Sequence, residues 1–216
     1  VVNGTDDSVI NGGAGIDTVN SGAGVDTING GEGADILDGQ AGSDVISGGA
    51  GDDAINFAAN ASFTGLLTAE TIDGGAGTDT MTFSEAAVVT MTAAELANVS
   101  NVESLKFNGT SAVTVTVSDA VVAANPGLVI LDSEDTAALT VDAIALTGSN
   151  SVSIKTEGAG SNNFKGGAGD DTFTFSTKNN GTALIAADVI DGNGGTDTLA
   201  VTLVTNALTA VTLTNV

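Results

Sequence analysis

From Gly12 onward the chain repeats itself every nine residues: GGAGIDTVN (12–20), SGAGVDTIN (21–29), GGEGADILD (30–38), GQAGSDVIS (39–47) and GGAGDDAIN (48–56). A degenerate block, NGTDDSVIN (3–11), precedes them. The pattern is G-G-x-G-x-D-x-U-x, with U a large apolar residue. A flexible linker has no reason to place an aliphatic side chain at every ninth position. Each block instead reads as a turn followed by a short strand, stacking on its neighbours as a solenoid. Glycines in the first six positions supply backbone angles that other residues reach only at a cost. The last three positions form the strand, and its middle residue (Val19, Ile28, Leu37, Ile46, Ile55) points inward. Two nonapeptides complete one coil, so the turns alternate between two edges. Asp17, Asp35 and Asp53 then share one column, and Asp26 and Asp44 the other.

The chemistry of those columns follows from composition. The chain carries 27 acidic residues against four basic ones, a net charge of −23. Such a surface repels nucleic acid and anionic membranes, which sets both aside as partners. No apolar run approaches the roughly 20 residues of a membrane span, so direct membrane insertion is not expected. Packed carboxylates repel one another unless cations neutralise them. The aspartates, with carbonyl oxygens freed by the glycine turns, offer an all-oxygen cage suited to Ca2+. Soft or transition metals would call on His or Cys, and the chain has neither. Thirty glycines, seven Phe and no Trp or Tyr leave little for a compact three-dimensional core. Abundant Val, Ile, Leu, Ala and Thr nevertheless argue against disorder. The expected fold is all-β, a parallel β-roll or β-helix solenoid with calcium-binding turns.

The motif returns as GGAGTDTMT (74–82), GGAGDDTFT (166–174) and GNGGTDTLA (192–200). Weaker companions, GLLTAETID (65–73), EGAGSNNFK (157–165) and ALIAADVID (183–191), place Glu70, Asn162 and Asp188 at the sixth position. The expected calcium ligands are Asp17, Asp26, Asp35, Asp44, Asp53, Asp79, Asp171 and Asp197, with Glu70 and Asp188 in support. Residues 48–80 match 166–198 without a gap, about half of the positions being identical. The eight residues after Asn56 and after Thr174 keep one length in both copies. ALTAVTLTNV (207–216) resembles ELANVSNVESL (95–105), so the sequence reads as a fragment cut inside a second unit.

Between the motifs, residues 83–156 exchange glycine for Thr and Val. AVVTMT (87–92), VESLKF (102–107), AVTVTVS (112–118), LVILDS (128–133), ALTVDAIALT (138–147) and SVSIKT (151–156) alternate apolar and polar residues as half-buried strands do. Asn108–Gly109, Asn125–Pro126–Gly127 and Gly148–Ser149–Asn150 punctuate them. Residues 92–99 and 118–125 each fit a helical turn, capped by Thr92 and Ser118. The expected organisation is a β-roll over 1–56, an excursion plus turn over 57–82, a Thr/Val-rich β-helix over 83–156, a second repeat segment over 157–200, and the start of a further β unit over 201–216.

Nothing in the chain pairs a nucleophile with a base, since Ser and Thr are plentiful but His and Cys are absent. Carboxylate pairs such as Glu32/Asp35 or Asp132/Glu134 are expected by chance at this acidity. The chain is therefore read as a non-enzyme.

The nonapeptide resembles that of the RTX calcium-binding repeats. The order GAGDD-U-x-F, a spacer, IDGGAGTDT-U and then SNVESLKF resembles the RTX-type surface-layer (S-layer) proteins of Gram-negative bacteria. That resemblance implies type I secretion through an uncleaved C-terminal signal, folding on calcium outside the cell, and calcium-dependent self-assembly into a lattice at the cell surface. A stalk of an RTX adhesin and the calcium-dependent folding module of a secreted hydrolase or toxin share the same vocabulary.

Overall fold

The computed structural model describes residues 5–57, 70–84, 88–133, 138–158, 160–176, 184–202 and 212–216. Every strand pair in it is parallel, and the strands assemble into three sheets that wind about one axis. One sheet of nine strands runs the whole length: Thr18–Asn20, Ile36–Asp38, Ala54–Phe57, Thr80–Phe83, Ser104–Phe107, Val129–Asp132, Ser153–Thr156, Thr172–Phe175 and Thr198–Val201. The opposite wall changes along the axis. It begins as a five-stranded sheet (Val9–Ala14, Thr27–Glu32, Val45–Ala50, Thr71–Ala76, Val99–Ser100). A six-stranded sheet takes over from it as a third wall (Val89–Met91, Val113–Thr116, Leu139–Asp142, Asn163–Lys165, Val189–Asp191, Thr212–Thr214).

The handover happens within one coil. The stretch from Thr80 to Ser100 contributes a strand to each of the three sheets. In the next coil the helix Asp119–Ala124 packs over the strand Val99–Ser100. Equivalent positions lie 18 residues apart in the nonapeptides and 24 to 26 apart from Asp53 to Glu103. The coil thus lengthens without breaking its register, first between two glycine turns (Asp53 to Asp79) and then where the glycines are gone (Asp79 to Glu103).

Register is visible in the core. Val19, Leu37, Ile55, Met81, Leu105, Ile130, Ile154 and Phe173 stack in one fully buried column, each paired with the next across the nine-stranded sheet. Ile10, Ile28, Ile46, Ile72 and Val99 form the facing column. Each buried aliphatic side chain contributes about 1.5–3 kcal/mol. Phe57, Phe83 and Phe107 add a third column, with ring centroids 5.1 and 5.2 Å apart and nearly parallel planes. In the two sequence copies, Ile55 pairs with Met81 as Phe173 pairs with Leu199, so the duplicated stretches share strand pairing. Most of the excursions of equal length lie outside the described residues.

Two details differ from the sequence reading. On one edge the strand does not stop at the ninth position. Val9–Ala14, Thr27–Glu32, Val45–Ala50 and Thr71–Ala76 run on through the first three residues of the following repeat. Gly13, Gly31, Gly49 and Gly75 sit in register there with φ between 103° and 114°, and Gly15 N–H still donates to Glu32 O at 2.7 Å. The ladder continues because glycine can carry it through a bend that a side chain would block. The second difference concerns caps. The helix Asp119–Ala124 follows an extended Ser118, but the Ser118 side chain makes no capping hydrogen bond. Around Glu95–Asn98 the cap is reciprocal instead: Thr92 N–H donates to Glu95 Oε2 (2.6 Å) and Glu95 N–H to Thr92 Oγ1 (3.3 Å).

Candidate metal centre

The turns place their sixth residues one above another, and each carboxylate reaches back one coil. Asp17 N–H donates to Asp35 Oδ1 (2.8 Å), Asp35 N–H to Asp53 Oδ1 (2.7 Å), and Asp53 N–H to Asp79 Oδ1 (2.8 Å). On the other edge Ser8 N–H donates to Asp26, Asp26 N–H to Asp44, and Asp44 N–H to Glu70 Oε2, all at 2.8 Å. The two columns expected from the alternating turns are therefore both present. Further along, Val152 N–H donates to Asp171 Oδ1 (2.7 Å) and Asp171 N–H to Asp197 Oδ1 (2.8 Å). Asn162 N–H donates to Asp188 Oδ1 (2.7 Å).

These bonds occupy one oxygen of each carboxylate. Oδ2 of Asp26, Asp35, Asp53 and Asp79, and of Asp17 at the start of the column, is buried and has no hydrogen-bond partner. A buried carboxylate oxygen without a donor is costly, and its recurrence in successive coils points to a missing positive charge. Glycine at position one makes room for that oxygen. A Cβ on Gly30 would lie 2.4 Å from Asp35 Oδ2 and 2.5 Å from the carbonyl oxygen of Gly48 in the next coil. The same two atom types crowd Gly48, whose neighbours are Asp53 Oδ2 and the Gly74 carbonyl. Carboxylate and carbonyl oxygens thus converge beside the turns of the Asp17–Asp79 column. Among the described residues no three acidic side chains gather at one point, so a cation here would take most of its ligands from carbonyls. That donor set is hard, all-oxygen and fits calcium.

Electrostatics agree. Burial pushes the carboxyls of Asp44, Asp53, Asp171 and Asp188 above the usual range, and that of Glu70 to about 7 and Asp79 to about 6. Neighbouring acids in the column push Asp44, Asp53, Glu70, Asp79 and Asp171 further the same way. A bound cation would reverse both effects.

The ten acids do not all face the same surroundings. Asp171 accepts from Val152 N–H and Gly167 N–H with its two oxygens, and Asp188 from Asn162 N–H and Ile185 N–H. Two residues that the nine-residue pattern missed also join the ladder. Glu103 Oε2 accepts from Asp79 N–H at 2.7 Å. Asn125 Oδ1 accepts from Val102 N–H (3.0 Å), while its amide donates to the carbonyls of Val121 (2.9 Å) and Val99 (3.1 Å). In Asn125 the amide nitrogen does internally what a cation would do beside an aspartate. One signal for Glu103 is in the sequence: Glu103-Ser104-Leu105 keeps the acid-x-aliphatic spacing of Asp53-Ala54-Ile55 after the glycines have gone.

Comparison with known families fits this geometry. The RTX calcium-binding nonapeptide repeat matches residues 2–37 and 29–61. The family described as Peptidase M10 serralysin C terminal matches residues 56–216, most of the chain. The chain belongs to the serralysin C-terminal family. Its nonapeptides are RTX repeats, which bind Ca2+, and the parallel β-roll is the fold those repeats build. No match was found among curated proteins. Serralysin C-terminal and RTX regions occur in proteins exported by type I secretion, and in the proteases the C-terminal region is the non-catalytic one. Neither match is to a surface-layer protein. Among the described residues no helix is long and apolar enough to cross a membrane.

Proposed function

We propose that this serralysin C-terminal chain is a calcium-dependent structural segment of a secreted bacterial surface protein, built to self-assemble into an S-layer. Asp17, Asp26, Asp35, Asp44, Asp53, Asp79, Asp171 and Asp197 are its principal calcium ligands, supported by Glu70 and Asp188. The observation that carries the calcium assignment is the run of buried, unpartnered carboxylate oxygens in register along the coils. Residues 1–82 and 157–200 are the calcium-responsive parts, and the Thr/Val-rich stretch 83–156 between them stands on its apolar columns. Self-assembly rests on the resemblance of the sequence to RTX-type surface-layer proteins. Lys106 and Lys165 lie on outward positions of strand faces, while Lys155 is paired with Glu157 of its own chain at 3.1 Å. Replacing Asp35 and Asp53 together by Asn is expected to lower the number of calcium ions bound at saturation. An unchanged number in equilibrium dialysis would remove these ligands from the assignment. Electron microscopy of the intact secreted protein with and without calcium tests the array, which is expected to form a two-dimensional lattice only with the ion.

The family match favours a second reading, a folding module attached to a secreted hydrolase. A parent protein with protease activity, and no lattice at any calcium concentration, would select it.

A further inference from the structure

The first run of nonapeptides ends at residue 82, yet the geometry of its turns continues for one more coil. The turn Gly74–Asp79 should be the last to offer half a cation cage, because the coil above it contains no GGxGxD. That coil nevertheless presents the same atoms. A Cβ on Gly74 would lie 2.7 Å from Asp79 Oδ2 and 2.0 Å from the carbonyl oxygen of Asn101. The Asn101 carbonyl therefore stands where Gly48 presents its carbonyl to Gly30, and Gly74 to Gly48. It can do so because Asn101 adopts φ 52°, the left-handed region that Asn tolerates better than most residues. Its amide donates to Asp73 Oδ1 at 2.7 Å and holds that conformation.

Glu103 completes the copy. Its Oε2 accepts from Asp79 N–H as the sixth-position aspartate does in every coil below, and Glu103 N–H donates to Asp79 O at 3.1 Å. Asp79 itself is fully buried, and its second oxygen has no partner. Above Glu103 the side chain bonded to this turn is the neutral Asn125. The acidic column thus extends one rung past the repeats and is succeeded by an amide.

The same device recurs at a second place. Over Gly192 the carbonyl of Asn215 lies 2.1 Å from the Cβ position, beside Asp197 Oδ2. Asn215 has φ 50°, and its amide donates to Asp191 Oδ1 at 3.0 Å. Two coils of different sequence therefore cover the last glycine turn of their repeat run in one way.

We propose that the turn Asn101–Glu103 closes an additional Ca2+ site with Asp79, a hybrid site in which an asparagine carbonyl and a glutamate replace the glycine carbonyl and aspartate of a repeat. The inference rests on the calcium reading of the repeats and adds a site that no nonapeptide marks. Its consequence is that calcium binding ties the repeat roll to the first coil of the 83–156 segment.

Equilibrium dialysis of the whole chain with Ca2+ tests it. Glu103→Gln keeps the acceptor for Asp79 N–H but removes the charge, and is expected to bind one ion fewer than the unaltered chain. If the unaltered chain binds no calcium, the reading of the repeats fails. If it binds calcium and Glu103→Gln binds as many ions, the hybrid site alone fails. Anomalous diffraction from calcium-loaded crystals of the unaltered chain decides the matter without any substitution. An ion is expected at about 2.3–2.6 Å from the Asp79 and Glu103 carboxylates and the Asn101 carbonyl. A row of ions that ends below the 74–79 turn overturns the proposal.

Discussion

Replacing Asp79 by Asn should change stability in opposite directions with and without calcium. In the fold the Asp79 carboxyl is fully buried and its pKa is raised from 3.8 to about 6, mainly by that burial. At pH 7.5 without cations, keeping it ionised costs on the order of 3 kcal/mol relative to the unfolded chain. The substituted side chain would still accept from Asp53 N–H through its amide oxygen. Its amide nitrogen would also sit beside the Asn101 carbonyl, much as the Asn125 amide bonds Val99 and Val121. In chelator, Asp79→Asn is therefore expected to raise the folded-to-unfolded ratio on the order of a hundredfold. In calcium at about a thousand times its dissociation constant, losing one ion forfeits about 4.1 kcal/mol, which outweighs that gain, and the variant is expected to be the less stable chain. The β signal of both chains in chelator without urea, and urea titrations in saturating calcium, both followed by circular dichroism, give the two signs. A variant less folded than the parent in chelator would refute the claim that these carboxylates wait for a cation.

Acidification should partly replace calcium. Glu70 holds its proton up to about pH 7 in the fold against 4.5 when free. The folded state therefore gains stability as pH falls from about 7 to 4.5 and loses it as pH rises through 7. Chelated chain is expected to gain β signal between pH 8 and 5, and a loss over that range would contradict the burial of these groups. Gly30→Ala puts a methyl 2.4 Å from Asp35 Oδ2 and 2.5 Å from the Gly48 carbonyl, a clash expected to cost about 1–3 kcal/mol and weaken calcium binding. Unchanged calcium affinity in titration calorimetry would show that the cage lies elsewhere. Asn125→Asp sets a buried carboxylate against two carbonyls and is expected to cost about 3–5 kcal/mol with or without calcium, read as a lowered urea midpoint in both conditions.

Much of this was legible in the sequence, for reasons that particular residues make plain. A strict nine-residue period fixes both the inward aliphatic and the sixth-position acid, so the Asp17–Asp35–Asp53 column could be drawn without coordinates. Alternation alone located strands such as Ser104–Phe107 and Val129–Asp132 to within a few residues. Glu103 escaped because its turn has no glycine, and its acid-x-aliphatic spacing is too short to stand out in so acidic a chain. The Asn125 amide could not be anticipated, since its partners, Val99 and Val121, come together only where the helix Asp119–Ala124 stacks on the last strand of the five-stranded sheet. The strands running through Gly13 and Gly31 were hidden for a similar reason. Glycine signals a bend, and only the neighbouring coil shows that hydrogen bonding continues through it.

Calcium added back to chelated chain, with the β signal followed by circular dichroism, tests the central claim most directly. Ordering nine backbone units of one nonapeptide costs on the order of 9–18 kcal/mol, against about 1.5–3 kcal/mol from its single buried aliphatic side chain. The sixth-position carboxylates add repulsion, and extracellular modules bind calcium at about 0.1–1 mM. The expected result is a cooperative gain of β structure in that range, absent with magnesium. A full β signal in excess chelator at neutral pH, unchanged by calcium, would contradict it.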